Sequence, residues 1–261
     1  GKVRRGIGTV RQDVNVSIRG GARVEIKGVP KSGVIKNLVH YETIRQRSLL
    51  FLKEEIKTRG ISINTFSTKT IDCTEIFAKT KSKPIAEAIK KGAVVGAIKI
   101  CGFAGLLNYK ISPNRTFADD VKGRIRVIAC LDKPPILFHS DAEAEDYPDK
   151  KEWQKLKKAL NANYTDSIAI VWGENEDVNT ALSEIAIRIK EAIVGIPNET
   201  RQVLTTGETD FERILPGPNR MYPDTDSAPI PISNTLLEDI KSRLPHSPYF
   251  YVTPYFYTEF F

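Results

Sequence analysis

The strongest constraint on this chain is the alternation in residues 10–28. Val10, Val14, Val16 and Ile18 fall on one face, and Arg11, Asp13, Asn15 and Ser17 on the other. Period-two alternation of β-branched and polar residues is the pattern of a half-buried strand. Gly20-Gly21 marks a turn, and Val24 and Ile26 then alternate against Arg23, Glu25 and Lys27. The two runs read as a β-hairpin. Residues opposite each other in an antiparallel pair share a face. A two-residue turn at Gly20-Gly21 would set Ser17 against Val24 and mix the faces. An odd loop such as 19–21 keeps them apart and sets Asn15 opposite Glu25 and Asp13 opposite Lys27. A glycine in the left-handed region suits such a loop.

Ser32 or Gly33 opens a long helical segment to about Arg59, with Gly60 as its stop. From 62 to 197 the pattern changes to short strands (71–77, 93–100, 167–172) and helices (83–91, 117–128, 149–161, 176–194). This is the signature of a compact α+β domain set between flanking segments. Nine of the fifteen prolines lie in 197–254. That stretch is therefore expected to be extended and irregular, apart from a short helix at 233–243. The final SPYFYVTPYFYTEFF is densely aromatic, fitting either a buried strand or a sequence artefact. The chain starts without Met and enters a strand within ten residues, which suggests a truncated start.

Charge is unevenly spread. Residues 1–59 hold fourteen Lys/Arg against five Asp/Glu, whereas the rest of the chain is slightly acidic. A localised positive field suits a polyanion such as RNA or a nucleotide phosphate, and equally a solvated surface. No apolar run reaches the ~20 residues of a membrane span, and the N-terminus lacks a signal-peptide pattern. Cys73, Cys101 and Cys130 are widely spaced, as expected of buried free thiols in a reducing cytosol.

The hairpin is the best candidate for chemistry. Its polar face gathers Arg11, Asp13, Asn15, Ser17, Arg23, Glu25 and Lys27. Carboxylates on neighbouring strands can hold Mg²⁺, and adjacent Arg and Lys can hold phosphate oxygens. That combination suits phosphoryl transfer, where positioning and charge neutralisation do most of the catalysis. On pattern alone, an exposed strand face laced with cross-strand ion pairs explains the same residues. A second candidate is RILPGPNRMYPDTDSAPIP (213–231), where Arg220, Tyr222, Asp224 and Asp226 could line a cleft, or where the chain could simply be a polyproline linker. GFAGLL (102–107) has neither a Walker nor a dinucleotide glycine spacing, so it reads as a tight turn. His139, beside Ser140 and Asp141, reads as a helix-capping or loop residue.

TVRQDVNVSIRGGARVEIKGV resembles the signature hairpin of the B-type and E-type subunits of glutamyl-tRNA(Gln) amidotransferase. IPNETR and LPGPNRMYPDTDSAPI are similar to the archaeal E-type branch of that family. AIKICGFAGLL and PPILFHSD resemble the domain that branch shares with bacterial-type aspartyl-tRNA synthetases. Together these motifs cover about residues 7–245. The resemblance implies an α+β fold: a partial amidotransferase cradle interrupted by an aspartyl-tRNA-synthetase-like insert. The implied segments are 1–61 (part of the cradle), 62–197 (insert), 198–232 (returning cradle segment) and 233–261 (start of a helical region and aromatic tail).

The resemblance further implies a cytoplasmic enzyme that converts Glu-tRNA(Gln) to Gln-tRNA(Gln). It would use ATP and Mg²⁺ as cofactors and ammonia from a partner amidase of the D type. Asp13 and Glu25 match acidic residues of the family's cradle, as candidate Mg²⁺ ligands or organisers of ammonia. Arg11 and Lys27 match its phosphate or carboxylate holders, and Asn15 and Ser17 its orienting residues. Arg201 and Arg220 match arginines of the returning segment, as candidate substrate or phosphate holders. The family's N-terminal half-cradle and most of its C-terminal tRNA-binding tail are absent, so the fragment alone is expected to lack full activity. The competing readings are a tRNA-binding or scaffold module without chemistry, and a piece of an aspartyl-tRNA synthetase.

Overall fold

In the computed structural model, residues 12–29, 31–131, 133–144, 146–214 and 232–244 are described. Strands β1 (Val14–Val16) and β2 (Val24–Lys27) form the expected hairpin. Its register is Val14 opposite Ile26, Asn15 opposite Glu25 and Val16 opposite Val24. That is the odd-loop register required by the alternation. Gly20 sits at the loop centre with φ 76°, and the Gly21 amide donates to the Ile18 carbonyl at 2.9 Å. A side chain at Gly20 would incur the left-handed penalty that glycine escapes.

Helix α1 (Ser32–Thr58) follows, and Gly60, at φ 73°, ends it. Its buried residues are Leu38, Glu42, Arg45, Gln46, Leu49, Leu52 and Ile56. Its N-terminal half covers one face of the hairpin. Val16, Val24, Ile26, Val29 and Leu38 form a small core there, each side chain contributing about 1.5–3 kcal/mol by leaving water.

The chain then builds an antiparallel sheet in the order β3-β4-β8-β7, from β3 (Thr68–Asp72), β4 (Val94–Ile100), β7 (Leu137–His139) and β8 (Ser167–Gly173). Its central strands are buried on both faces, and their side chains sort with period two. Ile98, Ile100, Ala169 and Val171 join the core shared with α1, α3 (Phe117–Ile128) and α5 (Asn175–Val194). Val95, Ala97, Ile168, Ile170 and Trp172 join a second core with α2 (Lys83–Lys90) and α4 (Lys150–Leu160). Gly96 lets α5 approach, since a Cβ there would meet Val178 at 2.5 Å. A two-stranded pair, β5 (Lys110–Ser112) and β6 (Arg115–Thr116), leads into α3. Helix α3 is opened by a reciprocal capping box between Thr116 and Asp119.

Four sequence expectations are corrected. The strand expected at 71–77 lies at Thr68–Asp72, because the Asp72 carboxylate accepts from the Thr74 amide at 2.8 Å and turns the chain into a 3₁₀ turn. Just after Pro197 the chain is not irregular: β9 (Glu199–Val203) and β10 (Thr209–Ile214) form an antiparallel pair. His139 is no cap or loop residue but a buried member of β7. Of the three thiols expected to be buried, only Cys73 is; Cys101 is half-buried and Cys130 exposed.

Strand β9 returns beside the hairpin and pairs parallel to β2, closing a second sheet in the order β1-β2-β9-β10. The described residues up to 214 form one compact unit. Helix α6 (Asn234–Arg243), the short helix expected at 233–243, belongs to the other unit and is capped by Ser233. Its apolar residues Leu236, Leu237 and Ile240 are exposed. Among the described residues, no helix is long and apolar enough to cross a membrane.

His139 carries a pH signature. Burial pushes its imidazole down to about 4 from the ordinary 6.5, against a smaller pull upward from Asp141. Between pH 6.5 and 4 the unfolded chain therefore takes up a proton that the folded chain refuses. Stability is full above 6.5 and falls as pH drops, by up to about 3 kcal/mol from this group. Denaturant unfolding at pH 7 and pH 4.5 should show a smaller loss for His139→Gln than for the parent chain. An equal loss would contradict the assignment.

Candidate functional site

The hairpin sheet has two faces of opposite character. One is packed on α1 and the other is open. On the open face, Asp13, Asn15 and Ser17 of the β1 run are exposed. Glu25 and Lys27 keep roughly a quarter of their side chains in solvent, with Lys27 Nζ 3.8 Å from Glu25 Oε1. Carried one step outward, the hairpin register sets Asp13 opposite Lys27. There the Val29 amide still donates to the Gln12 carbonyl at 3.2 Å, one residue out of step, beside Gly28 at φ 65°. A left-handed glycine at such an offset is how a strand absorbs one extra residue.

The returning strand adds to this face. Glu25 pairs with Thr200, and Lys27 with Gln202. The Thr200 hydroxyl donates to Glu25 Oε2 at 3.1 Å. Asn15, Glu25, Thr200 and Arg213 therefore lie in one row across the four strands. Sequence reading does not find Thr200 and Gln202. Only the parallel pairing of β2 with β9 brings them here, and no local pattern encodes a partner about 175 residues away.

Arg201 is placed on the other side. It pairs with Ile26, a core residue, and is fully buried. Its guanidinium donates to the Thr209 hydroxyl at 2.8 Å, to the Thr209 carbonyl at 2.9 Å and to Glu199, and lies 2.9 Å from Asp120 Oδ1. It thus has no open donor toward the polar face, and the phosphate-holding role expected of it does not fit its position. Arg11 and Arg220, with Tyr222, Asp224 and Asp226, lie outside the described residues, as does the aromatic tail.

Arg201 belongs to a buried ionic cluster behind the sheet. Arg45 binds Glu42 through two donors at 3.0 Å each and Asp120 at 3.3 Å, and lies 3.2 Å from Glu199. Arg188 of α5 donates to Asp120 Oδ2 at 3.1 and 2.7 Å. Thr209 donates to Glu42 at 2.9 Å, and Gln46 reaches the Val16 carbonyl at 3.2 Å. Three guanidiniums thus face three carboxylates, and α1, α3, α5, β9 and β10 meet there. Burial alone would raise the carboxyls of Glu42 and Asp120. The surrounding arginines outweigh it and hold Glu42 below, and Asp120 well below, the usual carboxylate range.

Among the described residues no group of three or more His, Cys, Asp or Glu is placed to hold a metal. Asp13 and Glu25 stand on the same open face, on the two runs of the hairpin, and are the carboxylates that would have to hold Mg²⁺. That ion commonly takes one or two protein carboxylates and completes its shell with water and substrate phosphates.

Ser140 and Asp141, beside His139, have structural partners. Ser140 Oγ accepts from the Ile168 amide at 3.0 Å, and Asp141 accepts from Ser167 and from the Leu107 amide. Gly102 and Gly105, at φ 74° and 80°, make the tight turn expected of GFAGLL.

The family model described as the GatB/GatE catalytic domain matches residues 1–238. The chain is 41% identical over 247 residues to the E-type subunit of glutamyl-tRNA(Gln) amidotransferase from Pyrococcus furiosus, covering 95% of this chain and 38% of that protein. The protein of the same name from Methanocaldococcus jannaschii is 42% identical over 249 residues, covering 95% and 39%. The one from Saccharolobus solfataricus is 43% identical over 253 residues, again covering 95% and 39%. The chain thus spans about two-fifths of the length of these relatives. With the expected hairpin, its register and the returning strand in place, the chain belongs to the GatB/GatE catalytic domain family.

Proposed function

We propose that the open face of the hairpin sheet is one wall of an active site that amidates the glutamyl group of Glu-tRNA(Gln), using ATP. The observation that carries this is the row Asn15–Glu25–Thr200, with Lys27 and Asp13 beside it, on a solvent-open face backed by a rigid core. In this reading residues 62–197 are an aspartyl-tRNA-synthetase-like insert, and a partner amidase supplies the ammonia. The setting is cytoplasmic. The names of the relatives support the reaction class.

The chemistry requires activation. A γ-carboxylate is a poor electrophile toward ammonia. One of its oxygens attacks the γ-phosphorus of ATP, ADP leaves, and an acyl phosphate forms. Ammonia then adds to the acyl carbon, phosphate departs with the transferred oxygen, and a proton is released to leave the amide. Asp13 and Glu25 would hold Mg²⁺, which would neutralise the phosphate charge. Lys27 supplies a cation for phosphate or carboxylate oxygens, and Asn15 and Ser17 orient the glutamyl group. Arg201 is assigned to the scaffold behind the wall. The basic excess of residues 1–59 suits the tRNA backbone.

The oxygen transfer gives the test. Glu-tRNA(Gln) labelled with ¹⁸O in the γ-carboxylate, turned over by the full-length parent enzyme with ATP and ammonium, should yield ¹⁸O-phosphate. Amide formation that releases only unlabelled phosphate would contradict the proposed activation.

A further inference from the structure

Glu25 is the one carboxylate of the open face whose position the structure explains in detail. It stands on β2 between Asn15 and Thr200. Its Oε2 accepts from the Thr200 hydroxyl at 3.1 Å, while its Oε1 lies toward Lys27. Thr200 itself has no solvent exposure, whereas Glu25 keeps about a quarter of its side chain in solvent. The threonine therefore sits at the floor of the row, where it is unsuited to touch a substrate, and one end of the carboxylate stays reachable above it.

The backbone around Thr200 is held on both sides. Glu199 and Arg201 point into the buried ionic cluster, where Glu199 meets Arg45 and Arg201 meets Asp120 and Thr209. Strand β9 is also interior to its sheet, paired with β2 on one side and β10 on the other. A hydroxyl on such a strand cannot drift, so its hydrogen bond selects one rotamer of Glu25 and leaves the other oxygen toward Lys27 and solvent. Charge-assisted hydrogen bonds of this kind are stronger than neutral ones.

We infer that Thr200 is a positioning residue: it fixes the Glu25 carboxylate for amide formation without contacting substrate, from a strand anchored by the ionic cluster. This rests on the functional reading of the open face as an amide-forming wall.

The test is a double-mutant cycle in the full-length parent enzyme, with ATP, Mg²⁺ and ammonium chloride as the ammonia source. Thr200→Val keeps the shape and removes the donor. It should lower kcat for amide formation about tenfold, with KM for Glu-tRNA(Gln) within about twofold. Thr200→Ser, which keeps the donor, should recover kcat to within about threefold of the parent. Glu25→Gln should lower kcat further, and adding Thr200→Val to it should cost little more, because the carboxylate that the threonine positions is already gone.

Wild-type kcat in Thr200→Val would overturn the inference. So would a Thr200→Ser variant as slow as Thr200→Val, since that would make the methyl group, not the hydroxyl, the important part. Full additivity in the double mutant would also overturn it. Wild-type turnover in Glu25→Gln is a different outcome, and it would remove the functional reading on which the inference stands. If Thr200→Val lowers the thermal midpoint so far that little folded enzyme remains, Thr200→Ala, which also removes the donor, takes its place, with kcat taken per folded enzyme below its midpoint, and the same criteria decide.

Discussion

Replacing Asp120 with Asn should cost the fold about 3–5 kcal/mol, the usual loss when one member of a buried ion cluster is removed. Asp120 accepts from Arg45 and twice from Arg188, and lies 2.9 Å from Arg201. All four side chains are essentially out of solvent. An amide keeps the shape, but it removes the negative charge and turns acceptor capacity into donors that face guanidiniums. One positive charge is then left buried without compensation. Because α1, α3, α5 and β9 all contribute, the loss should appear as a cooperative destabilisation of the compact unit rather than as local fraying.

The cluster also sets an acid limit. The carboxyls of Asp120 and Glu42 are lowered in the fold, so their contribution is complete above the ordinary carboxylate range. It is lost as pH falls through their lowered values. Urea unfolding at pH 7 measures the substitution directly. A change below about 1 kcal/mol would show that these groups are solvated or dispensable.

Glu25→Gln has the largest expected effect on chemistry. Glu25 is half-buried, partnered by Thr200 and Lys27, and isosteric with Gln, so the substitution should leave the fold intact. In the proposed site it removes one of the two carboxylates that would hold a divalent cation, and with it a negative charge of the open face. For a reaction governed by charge neutralisation and positioning, such a loss is expected to lower turnover by roughly 10²–10³-fold.

How much of the fold and site is legible in the sequence follows from how local each signal is. The hairpin register is readable because face alternation forbids a two-residue turn; Asn15 does stand opposite Glu25. Helix α3 has the bounds expected of it, 117–128, where Thr116 and Asp119 spell a capping box. Strands β9 and β10 escape a sequence reading because ETRQV and TDFERI carry charge at core positions, and prolines nearby argue against strand.

The ionic cluster escapes it too, although it leaves a trace. The buried residues of α1 include Leu38, Glu42, Arg45, Leu49, Leu52 and Ile56, at alternating spacings of four and three. Glu42 and Arg45 thus occupy positions in the apolar stripe. Arg188 does the same within Val178, Leu182, Ile185, Ile189 and Ala192 of α5. Charged residues in the register of a core stripe signal a paired buried cluster. The expectation for Arg201 rests on motif rather than on pleat. Its pairing with Ile26 puts it on the core face, and that pairing is visible only once β9 is known to return beside β2.

The central claim is that the open face of the hairpin sheet belongs to an amide-forming active site. It is tested most directly by single-turnover conversion of Glu-tRNA(Gln) to Gln-tRNA(Gln) in the full-length parent enzyme, comparing Asp13→Asn and Glu25→Gln with wild type and measuring tRNA binding in parallel. The expected result is loss of amide formation in both variants, with tRNA affinity within about twofold of wild type. Wild-type rates of amide formation in both variants would contradict the claim.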